Sequence, residues 1–427
     1  MSNTLKANFN KIEFQTQELD NGLTVVYHKD ASAPVVSLVM LYKVGSSDED
    51  DDHTGYAHFF EHLMFEGTKN IPKGKIDDHI QEAGGTLNAM TTMDETIYTY
   101  TVPSHQIKLP LWIEAERMRK LKINEEAVEK EKKIVIEELK QRLENEPYRN
   151  LLPKALEVLF EGTSYAWHVG GKAEHIEEAE LEDFKKFYDK YYHPSNAVLA
   201  ISGDIEIDRV KEFAKAYFSQ YPYKKVNGEK DFDPEKIEEE IEVEMQDKFS
   251  DVPLIFECYR TCSRTDNDRY ALEILENILV QGNTSKMYKR LVDSLQLTSG
   301  VYMFSDYLDK SGYSAIAVPV DTEDKFKKVK AEIDSVINDI VENGITKKEL
   351  NKAKNYIERS FALRLKMNEN KAMLLASYQA FNGNPELINN EFAKYEDITE
   401  EDIINAAKKY LSENKRIIIY SVPDNNE

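Results

Sequence analysis

The order of β-rich and helical stretches runs through this chain twice, and that repetition constrains the fold more than any other feature. In the first half, a tight-turn pair, Asn21-Gly22, precedes a strand-like run at 23–27, and a second β-rich run covers 35–44. Residues 55–65 are apolar and aromatic without alternation, which predicts a helix. Gly84-Gly85 then punctuates the chain before two strands, 86–92 and 96–102. Helical patterns follow at 105–144 and 148–160, then a strand at 196–202 and an amphipathic helix at 207–218.

The second half repeats this order. Residues 253–262 answer the strand at 35–44, 268–280 stand where the helix at 55–65 stands, and 417–421 answer 196–202. Between them lie strands at 300–304 and 313–320 and helices near 325–341 and 347–363. The repeat is one of element order rather than residue identity. It predicts an α+β fold of two homologous domains, each a mixed, largely antiparallel sheet packed with helices. The polar stretch KKVNGEKDFDPEKIEEEIE reads as a linker. The expected division is therefore residues 1–223, a linker at 224–242, and residues 243–427.

A chain of 427 residues buries a large core without staples, and its two cysteines, Cys258 and Cys262, exclude a disulfide framework. Their position on an apolar strand-like stretch reads as packing, since no other cysteine exists to complete a thiolate metal site. The net charge of −23 disfavours phosphate backbones, so no nucleic-acid partner is expected. The acidic run SSDEDDD at 46–52 reads as a solvated loop. The N-terminus lacks an apolar signal core, and no run of about eighteen apolar residues occurs, so a cytoplasmic protein with no membrane association is expected.

The chemistry is concentrated in GYAHFFEHLMFEGT, residues 55–68. His58 and His62 are four apart, which on a helix puts both imidazoles on one face with Cβ atoms roughly 6 Å apart. That spacing suits one tetrahedral Zn²⁺, and Glu61 beside His62 can approach its open position. The H-x-x-E-H order is that of the inverted zincins. A third ligand is required from a second helix, and the stretch EKEKKIVIEELK offers Glu131, Glu137 and Glu138. Glu131 and Glu138 share a face, two turns apart, with Ile134, Val135 and Leu139 marking a buried side. Glu137 points about 100° away from Glu138.

These residues resemble the pitrilysin family of zinc peptidases, whose pattern places a zinc-binding Glu about 76 residues after H-x-x-E-H, inside E-x(6)-E. Here Glu138 stands 76 positions after His62, and Glu131 seven before Glu138. The resemblance implies that His58, His62 and Glu138 bind zinc, that Glu61 is the general base, and that Glu131 orients the site from behind the ligands. GGTLNAMTTMDETIYTYTVP, residues 84–103, resembles the family's strand pair whose edge takes the substrate as an added strand, which implies that Asn88 and Ala89 line the site. YHPSNAVLAISGDI, residues 192–205, matches the closing strand of the family's first domain.

Two departures qualify the likeness. Many members carry an Arg and, seven positions on, a Tyr in the second half. In KRLVDSLQLTSGVYMF, Tyr302 fits the Tyr, but Leu295 stands seven before it and Arg290 is the nearest Arg. The chain thus resembles the zinc-bearing chain of the family's two-subunit members. Where the mitochondrial member has acidic residues ten and fourteen positions after its zinc Glu, this chain has Tyr148 and Leu152, so presequence cleavage is not expected. The resemblance implies a zinc endopeptidase for short unfolded peptides, working in a dimer that encloses a chamber. A heterodimer with a homologous chain carrying the Arg/Tyr pair is expected, with a homodimer as the alternative. The rival functions are a non-catalytic structural subunit of the same fold and an acidic peptide-binding module.

Overall fold

The structure is a computed structural model and describes residues 11–144, 146–225, 232–412 and 415–424. The described residues form eleven strands in two sheets. The first half supplies β1 (Phe14–Glu18), β2 (Thr24–Lys29), β3 (Val35–Tyr42), β4 (Thr86–Thr91), β5 (Thr96–Pro103) and β6 (Ala197–Gly203). The second supplies β7 (Ile241–Asp247), β8 (Leu254–Thr261), β9 (Tyr302–Tyr307), β10 (Gly312–Pro319) and β11 (Arg416–Pro423).

The first sheet has the order β1-β2-β6-β3-β5-β4 and the second β7-β11-β8-β10-β9. From β2 onward the two orders correspond strand for strand. In each, one parallel pair, β2 with β6 and β7 with β11, opens an otherwise antiparallel ladder. This is the expected α+β architecture of two homologous sheets packed with helices. β7, the counterpart of β2, begins at Ile241, inside the range read as linker, and the linker's residues 226–231 lie outside those described. Its charged alternation, IEVEMQD, hides a strand whose residues alternate between exposed and half-buried.

The helical stretch read at 105–144 divides into Lys108–Lys120 and Glu125–Glu144. Asn124 marks the restart, its side chain accepting the Ala127 N–H at 3.0 Å in the manner of a helix N-cap.

Contacts divide the chain into two compact units that are each discontinuous. The first comprises residues 1–139, 168–230 and 361–390, and the second residues 140–167, 231–360 and 391–427. Relative to contiguous halves, each unit has taken one helix from the other half. Asn368–Asn382 packs on β6 and β3 of the first sheet, and Leu151–Leu159 packs on β11 and β8 of the second. The reason lies in the strands. β3 reads VVSLVMLY and is buried on both faces, one face meeting the main core through Leu38 and Met40, the other burying Val39 and Leu41 against Ala372, Leu375 and Ala376 of the borrowed helix. A sheet apolar on both sides needs a cover on both sides.

The borrowed helix is also held by charge. The Lys371 ammonium, on a residue 8% exposed, pairs with Asp30 just beyond β2. Burial alone would raise the Asp30 carboxyl, but Lys371 and the hydrogen bonds from Ser32 outweigh it and hold the group well below its usual value. A depressed carboxyl stabilises the fold above its unfolded pKa of about 3.9, and the contribution disappears as pH falls through the folded value. The stability gap between wild type and Lys371→Met should therefore be wide at pH 7 and shrink progressively as pH falls below about 4. Urea unfolding across that range tests this, and a gap that does not change with pH contradicts it.

Candidate metal centre

The first unit carries the motif on Tyr56–Leu63, an eight-residue helix. Its apolar face fixes it. Phe59, Phe60 and Leu63 are fully buried, with Phe59 stacked on Phe184 at 4.3 Å and Phe60 on Phe187 at 5.5 Å between ring centroids. The opposite face presents His58, Glu61 and His62, as the i, i+3, i+4 spacing requires.

Both ends of this short helix are tied to buried charges. At the N-terminus Gly55 has φ +93°, and a Cβ there would lie 2.6 Å from the Gly170 carbonyl oxygen, so only glycine fits. The Glu49 carboxylate accepts the Gly55 N–H at 2.8 Å and the Ala57 N–H at 2.7 Å. Glu49 is 2% exposed, although its run SSDEDDD reads as a solvated loop. At the C-terminus, buried Arg117 donates from Nε to the Met64 carbonyl at 3.0 Å. A negative group at the start and a positive group at the end both oppose the helix dipole. Glu49→Ala should lower stability by about 2 kcal/mol, the upper range for a lost cap. Urea unfolding reads this, and Glu49→Gln, which keeps an acceptor oxygen, should recover part of it.

The third member comes from the Glu125–Glu144 helix, which buries Val128, Val135 and Leu139. Ile134, expected on that buried side, is instead 41% exposed, because the true stripe runs through positions 128, 135 and 139. Glu138 leaves this helix toward the motif. His62 Nε2 lies 3.0 Å from Glu138 Oε2, and His58 Nε2 lies 3.9 Å from Glu138 Oε1. The two imidazoles stand 4.9 Å apart between centroids, at 76°. One ligand atom from each of the three residues falls within 4.8 Å of the others, and among the described residues this is the group of three or more such side chains that could hold a metal ion.

The donor set fits zinc. Two neutral imidazoles and one carboxylate are a catalytic zinc set, and bonds of about 2.0–2.1 Å place tetrahedral ligand atoms about 3.3 Å apart. The observed separations bracket that value.

Around these three, the structure places the other expected residues unevenly. Glu61 is half-buried, and its Oε2 accepts a 2.6 Å hydrogen bond from Thr91 Oγ1 at the end of β4. Glu131 is 4% exposed, with Oε2 4.0 Å from His62 Nδ1. Burial pushes its carboxyl up to about 7, and the neighbouring Glu66 adds to the rise. Ala89 alternates with Thr91 and shares its face toward the motif helix, whereas Asn88 is exposed on the other face of the strand. Glu137 is not in the group. Tyr302 opens β9 in the second unit and is 62% exposed. Arg290 lies in a π-helical turn, Tyr288–Ser294, paired with Glu332 at 2.6 Å. Cys258 and Cys262 are both buried and free, and burial pushes both thiols up.

Three residues escaped the sequence reading: Glu49, Thr91 and Arg117. The period-2 pattern of β4 carried a signal for Thr91, whose face is that of Ala89. No comparable signal marked Glu49 within a run of like charges.

A two-unit α+β protein with an inverted H-x-x-E-H helix and a distant glutamate is the form of one group of zinc peptidases. The sequence profile described as "Insulinase (Peptidase family M16)" matches residues 24–169, and "Peptidase M16 inactive domain" matches 178–357. The chain belongs to this family. It is 26% identical over 416 residues to a Helicobacter pylori protein named zinc protease PqqE, covering 95% of this chain and 92% of that one. The crystal structure of a protease from Helicobacter pylori superposes with a TM-score of 0.91 at 25% identity, over 96% of this chain and all of the other. The structure of a peptidase M16 inactive domain from Pseudomonas fluorescens superposes with a TM-score of 0.87 at 20% identity, over 97% and 98% of the two chains, a likeness of fold. No described helix is long and apolar enough to cross a membrane.

Proposed function

We propose that this protein is a zinc-dependent endopeptidase acting on short, unfolded peptides. The observation that carries the reading is the convergence of His58, His62 and Glu138 with Glu61 held beside them by Thr91. His58, His62 and Glu138 would hold the ion, and when bound it would acidify a water and polarise the scissile carbonyl. Glu61 acts as the base. Thr91 engages its Oε2, which leaves Oε1 to take a proton from the attacking water and pass it to the departing amine. Glu131 lies behind His62, where a carboxylate keeps the ring oriented with Nε2 toward the ligand group.

The peptide is read by β4. This strand ends its sheet and bonds to β5 on one side, so its other edge can take an extended peptide as an added strand. Main-chain pairing at Asn88 and Ala89 selects for extended, unfolded substrates. The working form is a dimer with a homologous chain that supplies the Arg/Tyr pair, since Arg290 is engaged by Glu332 and Leu295 holds the expected position. A stable monomer with full activity in light scattering would remove the dimer from the account.

Hydrolysis of a quenched random-peptide mixture, with a chelated control, tests the activity. Chelator-sensitive cleavage supports the endopeptidase. The absence of both stoichiometric zinc and cleavage, alone and with homologous chains, would favour a structural subunit instead.

A further inference from the structure

Directly behind His62 lies an ion cluster of which the proposed reaction uses only Glu131. Glu66, three residues past the end of the motif helix, is 6% exposed and reaches two lysines. Its Oε1 accepts from Lys130 Nζ at 2.8 Å, and its Oε2 pairs with Lys73 Nζ. Lys130 also lies 3.5 Å from Glu131 Oε1, and the other oxygen of Glu131 lies 4.0 Å from His62 Nδ1. The side chains thus form one line: Lys73, Glu66, Lys130, Glu131, His62.

The local backbone fixes the far end of this line. Gly67 has φ +103°, and a Cβ there would meet the Ile71 carbonyl oxygen at 2.7 Å. Thr68 Oγ1 accepts the Asn70 and Ile71 N–H groups at 3.2 and 3.0 Å. The turn from 67 to 71 is therefore closed on itself, and it delivers Lys73 back onto Glu66. Two carboxylates buried side by side repel unless cations stand between or beside them, and Lys130 and Lys73 fill those places. Glu66 stands against the Glu125–Glu144 helix at Lys130, two turns N-terminal of where Glu138 leaves it.

We propose that Glu66 is a positioning residue for the metal centre: through Lys130 it holds Glu131 against His62 and so sets the orientation of that imidazole. The inference rests on the zinc reading above. It adds a residue outside the H-x-x-E-H and E-x(6)-E patterns and two lysines that a charged surface would otherwise explain. Groups that orient a ligating histidine change metal affinity by about 10- to 100-fold when removed, and one step further out the lower figure is expected.

The test is zinc affinity, measured by competition with a chromophoric chelator, on full-length wild type, Glu66→Gln, Glu66→Asp, Lys130→Met and the Glu66→Gln/Lys130→Met double variant. The expected result is about tenfold weaker zinc binding in Glu66→Gln and in Lys130→Met, with the double variant no worse than either. Glu66→Asp, which keeps the charge, should recover part of the loss. Circular dichroism and urea unfolding show whether each variant is folded. Unchanged affinity in folded Glu66→Gln and Lys130→Met overturns the inference, as does strict additivity in the double variant. Failure of wild type to bind zinc is a different result, and it overturns the proposed function itself.

Discussion

Glu61→Gln is expected to bind zinc as wild type does and to cleave no peptide at a useful rate. The substitution keeps the size of the side chain and the acceptor that Thr91 engages at 2.6 Å, but removes the group that takes the proton. General-base contributions run from about 10²- to 10⁴-fold, and a residue serving as base and then acid should sit at the upper end. Glu61 is not among the three residues whose atoms converge, so metal content should not change. Single-turnover hydrolysis on zinc-loaded protein separates the two effects. A variant that keeps even a tenth of the wild-type rate would take Glu61 out of the role of base.

Arg117→Met should be the most destabilising single change near the site. Arg117 and Glu114 are both fully buried, with Arg117 Nη1 3.0 Å from Glu114 Oε1. The same guanidinium donates to Tyr100 Oη at 2.6 Å and lies over the rings of Phe65 and Tyr98 at 4.5 and 4.8 Å. Removing it leaves the Glu114 charge buried without its cation, which costs about 3–5 kcal/mol in comparable cases. It also frees the Met64 carbonyl at the end of the motif helix, so the loss should reach the metal centre as weaker zinc binding. Replacing Glu114 as well, as Arg117→Met/Glu114→Leu, should restore a large part of the stability, because a well-packed apolar pair substitutes for a buried ion pair at little cost. A loss under about 1 kcal/mol for the single variant contradicts this reading of the pair.

Much of this was legible in the chain because it depends on local spacing. His58, Glu61 and His62 lie within five residues, and helical periodicity alone puts them on one face. The strands at 86–91 and 96–103 announce themselves by alternation and a Gly-Gly turn. The pairing of sheets was legible too, since element order repeats. What stayed hidden was decided by tertiary contacts. Glu49 stands among acidic neighbours and is distinguished only by the two backbone N–H groups it meets. Nothing local in Asn368–Asn382 says that Ala372 and Leu375 will cover β3 of the other half. Ile134 reads as buried because two apolar neighbours, Ile134 and Val135, offer two stripes, and only packing selects between them. The first two residues of β7 read as linker, and the strand itself goes unmarked, because an exposed edge strand carries charges at alternate positions and few apolar residues.

The most direct test of the account is the metal content of the purified chain after dialysis against a zinc buffer. The account predicts one zinc per chain in wild type and in Glu61→Gln, and none in Glu138→Ala or His58→Ala. Wild-type protein that holds no stoichiometric zinc, or a Glu138→Ala variant that holds it as wild type does, would contradict the assignment of these residues to the metal.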